Sequence, residues 1–309
     1  MKLTKYEKWY LNTLDKLVSK LDDGKCQLNQ RTGIRTSRLP GVVLEVEPDE
    51  PTPILVTKNV MWKSAIEEIL WIMQKGSNNI HDLRPHIWDE WADEDGSIGK
   101  AYGYQIRTYD HVRNVLTRLS KDSSDRRGVI NLWNCADLDE MNLVPCVYSS
   151  VWNVIDDELN GNVIQRSGDF GIGVVFNIFQ YRALQMMFAR HLGVKVGKLT
   201  WEIADCHLYE NLMEQAKCQL DRSEVINFLG TANCPLSRAE EFVKEAKDDY
   251  YERLRDGDIE KAKEIVLQEE LPTLIFKENA PTDFWEITID DFEMLNYNPM
   301  SFLKSPIAV

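Results

Sequence analysis

The segment LVPCVYSSVWNVIDDELNGNVIQRSGDFGIGVVFNIFQY, residues 143–181, decides how the rest of the chain is read. It opens on Val144-Pro145-Cys146 and runs through a strand-like stretch to Gln165-Arg166-Ser167-Gly168-Asp169. It closes on Phe176-Asn177, at the mouth of a helical pattern. A thiol, a cation, a hydroxyl, a carboxylate and a carboxamide therefore lie within one short span. Together such groups can attack an electron-poor carbon, hold an anion and read a polar ring.

The surrounding chain has 309 residues, enough for one large or two ordinary domains with a sizeable core. Its 43% hydrophobic and 28% charged content is that of a water-soluble globular protein. A formal net charge of -14 argues against a general nucleic-acid binder, which needs a basic face. It leaves room for a small anionic ligand, since a few clustered arginines suffice locally. The start, Met1-Lys2-Leu3-Thr4-Lys5, lacks the apolar core of a signal peptide, and no apolar run is long enough to cross a bilayer. Cysteines at 26, 135, 146, 206, 218 and 234 form no Cys-x-x-Cys pair, so no metal is expected. Reduced thiols in a cytoplasmic protein are the expectation.

Outward from the central segment, periodicity places the other elements. Residues 3–23 carry Tyr6, Trp9, Tyr10, Leu14, Leu17 and Leu21 at helical spacing, ending near Gly24. Residues 29–36 form a polar loop with Arg31 and a central Gly33, either a solvated turn or an arginine loop over a phosphate. Val42 to Val46 and Ile54 to Thr57 read as short strands, and Ser64 to Gln74 as an apolar helix. Its adjacent Glu67 and Glu68 point about 100° apart, so both sit on its polar edge or one is partly buried with a raised pKa. Trp88 and Trp91 flank two acids and either fill a core or wall a flat ligand. Gly99 to Arg107 reads as a turn, Thr108 to Leu119 and Ile178 to His191 as helices. Arg126-Arg127, before a strand pattern, form a surface charge pair or an anion clamp. His207 and Tyr209 share a face if their segment is extended. Residues 237–268 read as a charged helical hairpin, with a capping-box start at Ser237 and a second short helix from Ile259 to Val266. A strand-like segment follows Thr288.

Arg126-Arg127, Val144-Pro145-Cys146, Gln165-Arg166-Ser167-Gly168-Asp169, Phe176-Asn177 and Asp205-Cys206-His207-Leu208-Tyr209 together resemble thymidylate synthase in order and separation. Ile87-Trp88-Asp89-Glu90-Trp91 and the final Pro306-Ile307-Ala308-Val309 match as well. The likeness covers nearly the whole chain except the 237–268 insert, and dispersed matches are more specific than one short pattern. It implies one α/β domain of three layers, with a large mixed β-sheet at the interface of a homodimer. It also implies methylation of dUMP at C5 with 5,10-methylenetetrahydrofolate as one-carbon donor and reductant, and no nucleic-acid or membrane partner.

By that resemblance Cys146 is the nucleophile that adds to C6 of uracil, with Arg166 lowering its pKa and gripping phosphate. Arg31 and Ser167 join the phosphate site, and Gly168 and Asp169 complete the nucleotide side. Arg126 and Arg127 reach the partner's site. Asn177 reads the O4 and N3 edge of uracil, while His207 and Tyr209 hold the sugar hydroxyl. Glu68 organises water and relays protons, with Tyr102 in the same network. Asp169 binds the pterin, Trp88 lies near the one-carbon unit, and Lys58 meets the folate tail. Ala308 and Val309 close over the folate and exclude water. The chain departs from the family pattern at Val147, Val175, Ile203-Ala204 and Met61, so its nucleotide half matches better than its folate half. Two other readings are a dUMP hydroxymethylase on the same scaffold and a non-catalytic folate- or RNA-binding protein.

Overall fold

The strand-forming half of residues 143–181 becomes the middle of a mixed sheet. The structure is a computed structural model that describes residues 3–231 and 253–304. Strands β1 (Gln27–Leu28), β2 (Arg35–Val46), β3 (Gly128–Asn131), β4 (Val147–Ile155), β5 (Glu158–Gln165), β6 (Gly168–Asp169) and β7 (Lys195–Tyr209) form it, in the order β1-β2-β7-β5-β4-β3, with β6 pairing β7. Asp156 and Asp157 join β4 to β5 with φ of 53° and 63°, the left-handed pair that a two-residue hairpin needs. β5 and β7 are parallel, so their connection must cross over, and α5 (Gly173–Leu192) makes it. A two-stranded antiparallel sheet, β8 (Thr273–Phe276) with β9 (Phe292–Leu295), accounts for the strand signal after Thr288.

Helices α1 (Lys5–Asp22), α4 (His111–Lys121) and α5 pack on one face of this sheet. α2 (Trp62–Met73) lies behind α5, and α6 (Met213–Thr231) behind α1, giving three layers. α5 is buried on most sides because its sequence is apolar on most sides. Gly193, with φ of 69°, ends it. Two local expectations change. Gly103–Thr108 is a short helix, α3, within the expected turn. Residues 54–57 pair with no strand among the described residues. Two of their N–H groups are satisfied by a side chain instead, as Val56 and Thr57 donate to Glu7 Oε1 at 2.9 and 2.8 Å.

The covered sheet face carries Leu44, Val163, Trp152 and Trp201, with Trp201 opposite both Leu44 and Val163. Gly161 makes room for Trp152, since a Cβ there would lie 2.7 Å from the indole. The other face has no helix over it among the described residues and exposes Val43, Val129 and Ile155 at 52%, 42% and 58%. The second helix of the expected insert is present as Asp258–Leu267. Buried Arg222 on α6 anchors it by a bidentate pair to Asp258, at 2.8 and 2.9 Å. Residues 237–252 and 305–309 lie outside the described residues. Among the described residues, no helix is long and apolar enough to cross a membrane.

Glu7 supplies a stability test. Burial raises its pKa from 4.5 to about 7, against the opposing pull of Thr57 and Val56 hydrogen bonds. A carboxyl held above its unfolded value binds more protons when folded. Its contribution is therefore fully present below 4.5 and is lost as pH rises through about 7. The full swing is on the order of 3 kcal/mol. Thermal melts of Glu7→Gln against the parent should show a shallower decline between pH 5 and 8. Parallel curves would refute the assignment.

Candidate functional site

One cavity of about 550 Å³ gathers most of the residues singled out above. The β1–β2 turn brings Arg31, and α2 brings Glu68. The following loops bring Trp88, Trp91 and Tyr102. Cys146 stands just before β4, and Arg166 and Ser167 just after β5. Asp169 comes from β6, Asn177 from the first turns of α5, and His207 and Tyr209 from the end of β7. The extended β7 places these last two on one wall, their rings 5.1 Å apart edge to face.

Cys146 is held from two sides. Its N–H donates to the Tyr102 hydroxyl at 3.1 Å. Its carbonyl accepts from the Arg166 N–H at 2.9 Å. Tyr102 takes a φ of 45°, a conformation that costs a non-glycine residue about 1–3 kcal/mol. The next residue helps to hold it there. Gly103 lies so close to Ser77 that a Cβ would sit 1.9 Å from the Ser77 carbonyl oxygen. The Arg166 side chain donates to the Pro145 and Val144 carbonyls at 2.9 and 2.8 Å, fixing a positive charge beside the thiol. Within one chain, burial nevertheless pushes the Cys146 pKa up, and outweighs the lowering by Arg166 and Arg31. Arg166 thus acts in the expected direction, and burial outweighs it within one chain.

Deeper in, six side chains form a hydrogen-bond chain. Trp201 Nε1 donates to Gln165 Oε1 at 3.0 Å, and Gln165 Nε2 donates to Asn177 Oδ1 at 3.2 Å. Asn177 Nδ2 donates to Gln180 Oε1 at 3.2 Å, and Gln180 Nε2 to a Glu68 carboxylate oxygen. Trp88 Nε1 donates to the other Glu68 oxygen at 2.7 Å. Burial lifts the Glu68 pKa to about 7, although both donors pull it down. A carboxyl near neutrality can both take and give a proton at physiological pH. Of the two glutamates, Glu67 faces out and pairs with Arg84. Gln180 and Trp201 escaped the sequence reading. A glutamine three residues after Asn177, and so on the same side of the helix, was the available signal.

Asp169 accepts the Gly171 N–H at 2.9 Å, and burial raises its pKa while His207 opposes the rise. Burial raises the Tyr209 pKa, and the neighbouring Arg31 opposes the rise. Trp88 and Trp91 meet edge to face, 5.5 Å between centroids, and with Ile87 and Ile172 make the apolar wall. The buried Trp91 Nε1 has no hydrogen-bond partner among the described residues.

The family model for thymidylate synthase matches residues 8–229. The chain belongs to the thymidylate synthase family. That is a family of methyltransferases that make dTMP. Among relatives, thymidylate synthase of Clostridium beijerinckii is 41% identical over 197 residues, covering 63% of this chain and 75% of that protein. Thymidylate synthase of Bacillus mojavensis is 32% identical over 325 residues, covering 99% and 100%. The solved thermostable thymidylate synthase A from Bacillus subtilis superposes with a TM-score of 0.76 at 31% identity, covering 98% of this chain and 99% of that one.

The family resemblance also named residues that this cavity does not include. Arg126 and Arg127 are exposed and absent from its wall, and Arg127 pairs with Asp125 at 2.9 Å. Lys58 points inward, donating to the Gly171 carbonyl at 2.7 Å, and burial lowers its pKa to about 8. Gly168 lines β7 rather than the cavity. A Cβ there would lie 2.8 Å from both Ile203 and Val174. Ala308 and Val309 lie outside the described residues. The departures from the family pattern avoid the cavity too. Val147, Val175 and Ile203 are buried in the core, Ala204 is exposed, and Met61 is 43% exposed.

Proposed function

We propose that the chain converts dUMP and 5,10-methylenetetrahydrofolate to dTMP and dihydrofolate. The observation that carries this is the sharing of one cavity by the Cys146 thiol, the Asn177 amide and the Glu68 carboxyl. Cys146, as thiolate, adds to C6 of the uracil and moves the C5–C6 electron pair toward O4. Asn177 has one N–H for O4 and one lone pair for N3–H, which suits uracil. Glu68 exchanges protons near O4 through water, and its pKa near neutrality supports that role. Arg166, Arg31 and Ser167 hold the phosphate, and His207 and Tyr209 the sugar hydroxyl. The folate supplies the one-carbon unit and the hydride that reduces it.

The cavity suits a flat pterin. Trp88 and Trp91 offer apolar faces and Asp169 an acceptor. In a homodimer joined across the open sheet face, Arg126 and Arg127 extend to the partner's phosphate site. Two added cations there lower the thiol pKa that burial raises within one chain. Lys58 is placed to support the Gly171 turn beside Asp169.

The test is to follow dihydrofolate by absorbance and the nucleotide product by mass. Both dihydrofolate and a methylated nucleotide are expected. A hydroxymethylated nucleotide without dihydrofolate would instead identify a dUMP hydroxymethylase.

A further inference from the structure

The hydrogen-bond chain through Asn177 runs in one direction, and both its ends fix that direction. Trp201 has an N–H and no acceptor, so the buried Gln165 must turn Oε1 toward it. Gln165 Nε2 then faces Asn177 Oδ1. At the other end, Gln180 Nε2 meets two acceptors, the Glu68 carboxylate and the Ala65 carbonyl at 3.1 Å. Gln180 Oε1 therefore faces Asn177 Nδ2. Reversing the Asn177 amide would set two NH₂ groups against each other at Gln165 and two carbonyl oxygens at Gln180. Each clash leaves polar groups unpaired in a buried place.

We propose that Gln180 is a positioning residue that sets nucleobase specificity, by holding the Asn177 amide in the orientation that accepts uracil and refuses cytosine. This rests on the reading of Asn177 as the group that meets the base. As held, Asn177 offers a donor to position 4 of the ring and an acceptor to position 3. Uracil presents a carbonyl oxygen and an N–H there. Cytosine presents an amino group and a lone pair, the reverse. Gln165 holds the oxygen side of the amide and Gln180 the nitrogen side, so loss of either loosens the choice.

The test measures equilibrium binding of dUMP and of dCMP to the full chain by calorimetry, without folate. Three proteins are compared: the parent, Gln180→Leu and Gln180→Glu. The parent should prefer dUMP. Gln180→Leu removes both halves of the bridge and should lower the dUMP-to-dCMP preference about tenfold. Gln180→Glu keeps an acceptor for Asn177 and should restore the preference to within about threefold of the parent. The same variant places a second carboxyl beside Glu68, so the pH at which dUMP affinity changes should move upward. Gln180→Met serves if the leucine variant does not fold. An unchanged preference in the leucine or methionine variant overturns the proposal, as does a glutamate variant no better than leucine. A parent without preference for dUMP overturns the underlying reading of Asn177 as well.

Discussion

Cys146→Ser is expected to lower dTMP formation by at least about 10⁴-fold, while dUMP still binds. The hydroxyl is nearly isosteric with the thiol, so the cavity keeps its shape. Its anion is far less accessible than a thiolate near neutral pH, and it is a harder nucleophile toward C6. The Tyr102 and Arg166 contacts to Cys146 are made through its backbone N–H and carbonyl, so they persist in the variant. Single-turnover rates and calorimetric dUMP affinity would be measured together. A variant that turns over within tenfold of the parent would remove Cys146 from the chemistry. Loss of dUMP binding would mean that the substitution had disturbed the site instead.

The second large effect concerns Arg126. It is absent from the wall of the site cavity in its own chain, and yet Arg126→Glu is expected to reduce activity by about 10²-fold or more, because in the proposed homodimer its charge acts in the partner's site. Mixing this variant with Cys146→Ser separates a shared site from a local one. Each homodimer then lacks a needed group in both sites. In a mixed dimer, one site collects both substitutions and the other collects none. Random reassortment gives mixed dimers as half the population, each with one sound site of two, so about a quarter of parental activity should return. Heterodimers shown by differential tagging, without recovered activity, would place Arg126 outside the partner's site.

Much of the architecture could be read from the chain. The apolar periodicity of residues 3–23 gave α1, and the segment from Ile178 to His191, apolar on most sides, gave α5. Those patterns are local consequences of burying one face or all faces of a helix. The stretch 54–57 shows where such reading ends. Its apolar run resembles a strand, but the Val56 and Thr57 N–H groups go to a carboxylate 49 residues before Val56. No local pattern carries that partner. The β2 strand was read short for a related reason. Its first residues, from Arg35, are polar, and pairing with β7 makes them extended.

The site divides in the same way. The sequence by itself determined the chemistry available, because the motif holding Cys146, Arg166, Asp169 and Asn177 names its own functional groups. It also determined family membership, through the order and spacing of those motifs. Only the tertiary structure decided which glutamate of the adjacent pair turns inward. Only it showed that Gln165 and Gln180 hydrogen-bond the Asn177 amide, and that Lys58 faces Gly171. It also moved Val147, Val175 and Ile203 from apparent changes in the site to core packing. The physical reason is common to all of these. Side-chain chemistry is written in each residue, but burial, hydrogen-bond direction and pKa depend on neighbours that the fold brings from distant parts of the chain.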